Sequence, residues 1–406
     1  MTGPTIDHLV SVTVFLGAIL VFIGLFNQTL QTAVIYQQHK HLGTKCSDLL
    51  DNILLNPGCP VKWGRSNGTP TVFGLQDPEF TQYRLSPFSL MRLQSFSGEP
   101  VYYPKTDSYY SNLTMGFGSS LLVSMTQAIN YSTAARLLGI NGTYNFHLTI
   151  TPIIKVSISE AQSNPLKLTV DVTGAGFPLS KAAISYCFIT VARSKGAYPS
   201  YTTDYGITYA DDKGSALLNF SDIDGTSESY LLIAYAHLSG LMGVGYHQNV
   251  VHDENYVVPF ISDFEEREVL IAHSYDVHGG DHPAEISYNS TFVLLTEDYT
   301  LREMPLENTT GKLGKINYGE GKPYQKITIP TYNPGILVIT YRKSAVETGV
   351  VMMPWGMSSL GFPVTFGENP SGQEWVATDI RQVLVNKVAY RVQLALWSLG
   401  GYGVII

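Results

Sequence analysis

Charged residues are scarce in this chain of 406 residues. Asp, Glu, Lys and Arg make up 14 % of the sequence, and 25 basic residues stand against 33 acidic ones, which gives a net charge of −8. An average soluble domain has about 25 % charged residues, and nucleic-acid binding needs clustered Lys and Arg to neutralise phosphates. The composition therefore excludes nucleic acid as an expected partner. Surface polarity must come from hydroxyl and amide side chains or from attached glycans.

Cysteine is rare as well, and the common motifs of catalysis are missing. The chain has three Cys and no C-x-x-C pair, which excludes zinc-ribbon and thioredoxin-like sites. There is no G-x-S-x-G, H-E-x-x-H or G-x-x-x-x-G-K-[ST] run. We therefore predict a protein that is not an enzyme and needs no cofactor. A membrane-bound hydrolase stays open as an alternative, because catalytic residues need not be close in sequence.

Proline is absent from Ile6 to Leu55, and this stretch predicts one helix of about 50 residues. Its residues Leu9–Phe26 carry no charge and are long enough to cross a bilayer. The segment MTGPTIDH has no Lys or Arg and no A-x-A site follows, so we expect a retained anchor instead of a cleaved signal. Pro57 and Gly58 should end the helix.

The same helix predicts how the protein lies in the membrane. Gly17 and Gly24 are seven residues apart and share a helix face, which favours helix–helix packing in lipid and possible self-assembly. We predict a single-pass protein of the cell membrane, or an extracellular filament, with the large C-terminal part extracytoplasmic. Lys40 and Lys45 point to the opposite orientation by the charge rule, but large domains translocate regardless of such a small bias.

The rest of the chain predicts a mainly β fold behind the long N-terminal α-helix. Alternating residues place Phe146, Leu148 and Ile150 on one strand face. We expect a helix over 119–138, a hairpin around 212–214 and a hairpin or bulge around 386–388. The expected domains are 1–58 with the membrane segment 9–26, a loop-rich α+β segment at 59–160, a β-sandwich at 161–250 and a C-terminal β domain at 251–406.

Two kinds of covalent modification are expected outside the cell. Cys46 and Cys59 flank the end of the helix, and a disulfide bond would fix that end to the next segment. We predict that Cys187 is a buried thiol in a strand. Sequons for N-linked glycans occur at Asn67, Asn112, Asn130, Asn141, Asn219, Asn289 and Asn308, and we therefore expect surface glycans. A further sequon, at Asn27, lies too close to the bilayer to be a good acceptor.

A cluster of histidines and acids is the nearest approach to a metal site. The run AHSYDVHGGDHPAE holds the candidate ligands His273, His278 and His282. Imidazole and carboxylate can bind Zn²⁺, but the spacing matches no zinc motif and Gly279-Gly280 indicates a turn. A solvated loop is the preferred interpretation, and we predict no metal.

Two resemblances suggest a functional class. The segment Leu166–His247 contains GFPLSKA and then TYADDKG, and this order resembles immunoglobulin-like or transthyretin-like modules of secreted proteins. The uncharged apolar half of the N-terminal helix, its polar half and the β body resemble archaeal type IV pilin-like surface proteins. The runs SDLLDNILLNPGCPVKWG and FGLQDPEF also resemble a group of membrane-anchored archaeal proteins.

The resemblances imply a structural or adhesion protein, either a pilin-like filament subunit or a cell-surface component. The 26 Tyr leave open a membrane-tethered receptor that binds sugar or peptide through a Tyr-rich β surface.

Overall fold

One long helix leads into a body made almost wholly of β-sheet. The computed structural model describes residues 3–80, 83–93, 99–115, 118–192, 196–251, 256–278, 284–314, 322–344 and 346–400, and only the backbone of residues 3–6, 114–122 and 278 within these ranges. The helices are α1 Gly3–Leu55, α2 Pro87–Met91, α3 Tyr131–Leu137 and α4 Ser274–His278, with 3₁₀ turns at Trp63–Arg65 and Met357–Ser359. The mainly β fold with one long N-terminal helix is confirmed.

The strands are short to medium in length and carry the numbers used below. They are β1 Arg84–Leu85, β2 Val101–Tyr103, β3 Ser108–Met115, β4 Gly118–Ser124, β5 Tyr144–Pro152, β6 Ile154–Ser163, β7 Leu166–Gly174, β8 Phe177–Pro178, β9 Ala183–Ala192, β10 Ser200–Tyr209, β11 Ser215–Phe220, β12 Tyr230–Leu238, β13 Leu241–Asn249, β14 Val257–Asp263, β15 Glu268–His273, β16 Ile286–Leu295, β17 Leu301–Met304, β18 Thr310–Leu313, β19 Tyr324–Thr328, β20 Gly335–Arg342, β21 Thr348–Trp355, β22 Val364–Gly367, β23 Ala377–Val385 and β24 Val388–Ser398.

Helix α1 runs without a break through its apolar and polar halves, as predicted. It ends where the chain turns at Asn56, whose side-chain Oδ1 accepts from the Gly58 N–H at 2.9 Å. The backbone of Gly58 is left-handed, with φ 78°. The Leu75 N–H donates to the Ile53 carbonyl at 2.8 Å and so satisfies one of the carbonyls left free at the helix end.

The strands of the described residues form five sheets. The strand orders are β1-β23-β24-β5-β22, β10-β9-β12-β13, β11-β7-β6 with β8 on β7, β19-β15-β14-β4-β3-β2, and β17-β16-β20-β21 with β18 on β16. The second and third sheets face each other around an apolar core of their own, which includes Leu168, Val170, Phe188 and Leu232. This sandwich begins at Ile154, seven residues before the expected boundary at 161.

A second, larger core joins the helix end to the remaining sheets. It contains the last turns of α1 together with Trp63, Phe88, Trp355 and Leu394. The outer face of the sandwich sheet β10-β9-β12-β13 also contributes, through Cys187 and Ile233. The body therefore packs as one continuous unit from the helix end to the C-terminal sheets.

Two local predictions are wrong, both because pairing between distant strands overrides local pattern. The first residues of the expected helix over 119–138 belong instead to strand β4, which pairs with β3 and lies parallel to β14. Within 119–138, the helical part is α3. The turn at Asp212 exists, but β10 pairs with β9 and β11 pairs with β7, so the turn crosses between sheets and closes no hairpin. The hairpin at Asn386 is confirmed, because Val385 pairs with Val388.

Candidate functional site

The last turns of α1 are built into the body. Six side chains on one helix face have an exposed fraction of 4 % or less: Leu42, Cys46, Leu49, Leu50, Ile53 and Leu54. Their spacing of three or four residues is that of a single helical stripe. This stripe packs on the hairpin strands β23 and β24. The helix is therefore fixed to the body by a core interface and not by a loop.

Polar contacts beside this stripe set the position of the helix. Arg381 on β23 donates from Nε to Asp51 Oδ1 at 3.2 Å and from a terminal nitrogen to Ser47 Oγ at 3.1 Å. A second terminal nitrogen lies 2.6 Å from Asp379 Oδ1. The hydrogen bond to Asp379, followed by the one to Asp51, raises the pKa of Arg381 above its usual value. The guanidinium thus connects two residues of the helix to the strand on which the helix lies.

The first half of α1 has the opposite character. Its large apolar side chains are exposed, from Leu9 at 68 % to Phe26 at 56 %. By length and composition Asp7–Leu55 can cross a membrane; its most apolar window has a mean hydropathy of 2.7 and is not buried in the body. Thr13, Thr29 and Thr32 each donate to the carbonyl four residues earlier at 2.8 Å. For Thr13, which lies within the apolar run 9–26, such a bond would satisfy a hydroxyl group that has no water partner in lipid.

Gly17 and Gly24 lie on this exposed half. Apart from the adjoining residues and backbone of the helix itself, a Cβ built on either one has no heavy atom within 4 Å. Their role in packing between helices therefore stays a prediction that a single chain does not test.

The predicted disulfide bond between Cys46 and Cys59 is not formed. Cys46 is buried and Cys59 is exposed, and both are free thiols. The Cys46 thiol instead lies 3.5 Å from the Leu394 carbonyl and 3.6 Å from the Ala377 carbonyl. Burial raises the pKa of this thiol to about 11. The helical stripe directs Cys46 toward β24, whereas Cys59 pairs with Val72 in an isolated bridge.

Among the histidine candidates, His273 has both ring nitrogens within hydrogen-bond distance of backbone groups. Its Nε2 lies 3.0 Å from the Ala284 carbonyl, and its Nδ1 accepts from the Tyr275 N–H at 3.0 Å. His278 ends α4, with its side chain outside the described atoms, and His282 lies outside the described residues. No group of three or more possible metal ligands occurs in the described part of the chain.

The sequons divide into two groups by exposure. Asn130, Asn141, Asn219 and Asn308 are exposed, whereas Asn67, Asn112 and Asn289 are half-buried. Asn67 Oδ1 accepts from Gln127 Nε2 at 2.9 Å, and Asn289 Nδ2 donates to the Pro199 carbonyl at 3.2 Å. A glycan is therefore better accommodated at the first four sites, and glycosylation at any site stays a prediction.

A groove of about 610 Å³ opens on the C-terminal part of the body. We call it the Lys–Tyr groove and define it by Tyr198, Tyr288, Lys312, Lys322, Tyr324 and Lys326. Sequence reasoning missed it, because its residues come from four separate segments. One signal was available: a chain with few basic residues has four Lys between 312 and 326, and three of them line the groove.

Comparisons with known proteins identify no family. No family model matches the chain, and no curated protein matches it. A solved structure, the crystal structure of red sea bream transglutaminase, is similar at 10 % identity with a TM-score of 0.17. The match covers 61 % of this chain and 37 % of the transglutaminase chain. A TM-score this low carries no argument about fold or activity, so function has to be argued from the geometry above.

Proposed function

We propose that this chain is a membrane-anchored protein of the cell surface, in which α1 crosses the bilayer and holds the β-rich body outside. The observation that carries the proposal is the continuity of α1. One helix has an exposed apolar half and a final stripe that is buried in the core of the body. The proposal assigns the protein a structural or adhesive role and no reaction.

The dimensions of the helix support an anchor. Residues 9–26 extend for about 27 Å at 1.5 Å per residue, close to the thickness of about 30 Å of the hydrocarbon core. Left in water, their side chains would form an apolar surface larger than soluble proteins expose. Residues 27–38 then add a stalk of about 18 Å before His39 packs on Trp375 of the body, with 3.9 Å between the ring centroids. The body would stand clear of the lipid headgroups.

The attachment of the helix makes the stalk a rigid one. Leu50, Ile53 and Leu54 have no exposed surface, and Arg381 binds the helix at two positions. No loop separates the anchor from the body, so a tilt of α1 in the membrane would tilt the body with it. A rigid stalk suits a protein that presents a surface at a fixed height.

The anchor is tested with two double variants of the full chain in intact cells. Leu16→Arg with Leu20→Arg places two charges in the apolar half, and we expect loss of membrane association, since each charge at the centre of a span costs about 2.5–3.5 kcal/mol. The matched control, Gln31→Arg with Gln37→Arg, places the same charges on the stalk and should stay in the membrane. Protease added outside should remove the body of the unchanged protein. Protection of residues 60–400 under these conditions would contradict the proposed orientation.

A second function, assembly into a pilin-like filament, is favoured by the stalk. Beyond the span, Leu30, Val34, Ile35 and Tyr36 are still exposed, at 48 %, 52 %, 39 % and 71 %. Neighbouring copies of α1 could cover these side chains, and burial contributes about 25 cal/mol per Å².

Replacing Gly17 and Gly24 with Leu tests this assembly. Loss of filaments or oligomers, with the body still folded and exposed at the surface, would support it. If the unchanged protein and the double variant are both monomeric in native membranes, the helix is only a tether.

A further inference from the structure

The Lys–Tyr groove lies where two sheets of the body meet. Among the described strands, β19 is the last strand of its sheet, and β18 pairs with β16. The two strands approach each other at Gly314 and Lys322, whose N–H and carbonyl groups exchange hydrogen bonds of 2.9 and 3.1 Å. The groove lies between these two sheet edges, and its lining combines residues of β16, β18 and β19 with Tyr198 and Asn308 from connecting segments.

The groove is basic in a chain that is acidic overall. Lys312 Nζ lies 2.6 Å from Glu285, and Lys326 Nζ lies 2.8 Å from Glu268. Lys322 is exposed and has no ion pair with any described carboxylate. Its backbone is held by the bridge to Gly314. Among the described residues, the groove thus offers one ammonium group without an ion-pair partner, flanked by two ammonium groups that keep spare N–H donors.

Tyrosine rings supply the apolar part of the same groove. Tyr198 is 39 % exposed, whereas Tyr288 is almost fully buried in the wall. A Cβ on Gly311 would lie 2.6 Å from the Tyr288 hydroxyl oxygen, so the wall requires glycine beside this ring. Burial raises the pKa of Tyr288 to about 12, and its hydroxyl therefore stays protonated at neutral pH. Asn308 and Gln325 add neutral amides to the lining.

We propose that the Lys–Tyr groove binds an acidic saccharide. Aromatic faces pack against the apolar face of a sugar ring, amides and hydroxyls bond its hydroxyl groups, and Lys322 pairs with a carboxylate. A nucleotide polyphosphate would need more cations without ion-pair partners than the described lining provides. The volume falls within the usual range of about 300–1,000 Å³ for ligand sites. The site is independent of the proposed anchor, because it is formed entirely by the body.

The test measures binding by the detergent-solubilised full chain, produced in a host without N-glycosylation, since Asn308 lies at the groove. Isothermal titration calorimetry uses tetragalacturonate as the acidic probe, maltotetraose as the neutral probe and ATP as the competing class. We expect tetragalacturonate to bind, and high salt to weaken its binding. Lys322→Gln should lower the affinity at least about tenfold, the loss expected for a charged hydrogen bond.

Matched control variants distinguish binding in the groove from general effects of removing a surface charge or an exposed ring. Lys213→Gln removes an exposed Lys from the sandwich and should leave binding unchanged. Tyr198→Ala should weaken binding, whereas Tyr209→Ala, which removes a ring that is 67 % exposed elsewhere, should not. Circular dichroism checks that each variant is folded. The proposal would be overturned if tetragalacturonate does not bind, or if Lys322→Gln and the unchanged protein bind it equally well. It would also be overturned if maltotetraose or ATP binds more tightly than tetragalacturonate.

Discussion

Arg381 of β23 pairs with Asp51 of α1 at 3.2 Å, and this ion pair connects residues 330 positions apart at the junction of helix and body. Both side chains are partly exposed, at 26 % and 39 %. Exposed ion pairs contribute little when isolated, but Arg381 also binds Asp379 and Ser47.

We expect Arg381→Met to lower the free energy of unfolding by about 1 kcal/mol, with a smaller loss at high salt. Chemical denaturation followed by the fluorescence of the buried tryptophans measures this change. Arg302→Met is the matched control, because its ion pair with Asp298 is 3.6 Å long and largely exposed. If both variants lose the same free energy of unfolding, Arg381 contributes no more to stability at the junction than an exposed surface ion pair does.

Leu54 and Leu55 are neighbours on α1 with opposite surroundings. Leu54 has no exposed surface, whereas Leu55 is 41 % exposed. Leu54→Ala should lower the free energy of unfolding by about 2–5 kcal/mol, because it leaves a cavity in the larger core. Leu55→Ala should cost about 1 kcal/mol or less. Similar losses for the two variants would show that the last turn of α1 is not packed as described.

Acidification should destabilise the body through His273. Burial lowers the pKa of this imidazole below its usual value, so between the folded and unfolded pKa values the unfolded chain binds the extra proton. The contribution of His273 to the free energy of unfolding is therefore fully present above about pH 6.5, and it decreases as the pH falls below that value. His247 shows the same direction for the same cause.

The measurement is the melting temperature at about pH 7 and about pH 5. His273→Gln should show a smaller difference between the two values than the unchanged protein, while His41→Gln, at an exposed position of α1, should not alter it. If the difference in melting temperature is the same in His273→Gln as in the unchanged protein, the pH dependence comes from other groups.

Gly243 lets β13 approach β6 closely at one side of the sandwich. A Cβ at this position would lie 2.5 Å from the Ile154 carbonyl oxygen, which is backbone and has little freedom to move. Gly243→Ala should therefore lower the free energy of unfolding by about 1–3 kcal/mol. Gly68→Ala, where a Cβ meets nothing within 4 Å, should change it by no more than about 0.5 kcal/mol. Chemical denaturation of both variants gives the comparison, and no difference between them would contradict the close approach.

The sequence predicted the elements whose signal is local. Helix bonds join residues four apart, so the absence of proline and the composition of residues 6–55 sufficed to predict α1. The run from Val383 to Ser398 predicted its hairpin for the same reason, since both strands and the turn are contiguous. The fold class followed from many short alternating segments between Gly, Pro and Asn.

Only the tertiary structure decided which segments meet. From the sequence, the nearest cysteine was the expected partner of Cys46, whereas the packing of α1 on β24 directs its thiol to the Leu394 carbonyl. Residues 119–124 have a helical pattern in the sequence, which pairing with β3 overrides. The Lys–Tyr groove exists because two sheet edges meet at Gly314 and Lys322. Sheet pairing joins residues at any separation along the chain, and its energy depends on neighbours that no local pattern records.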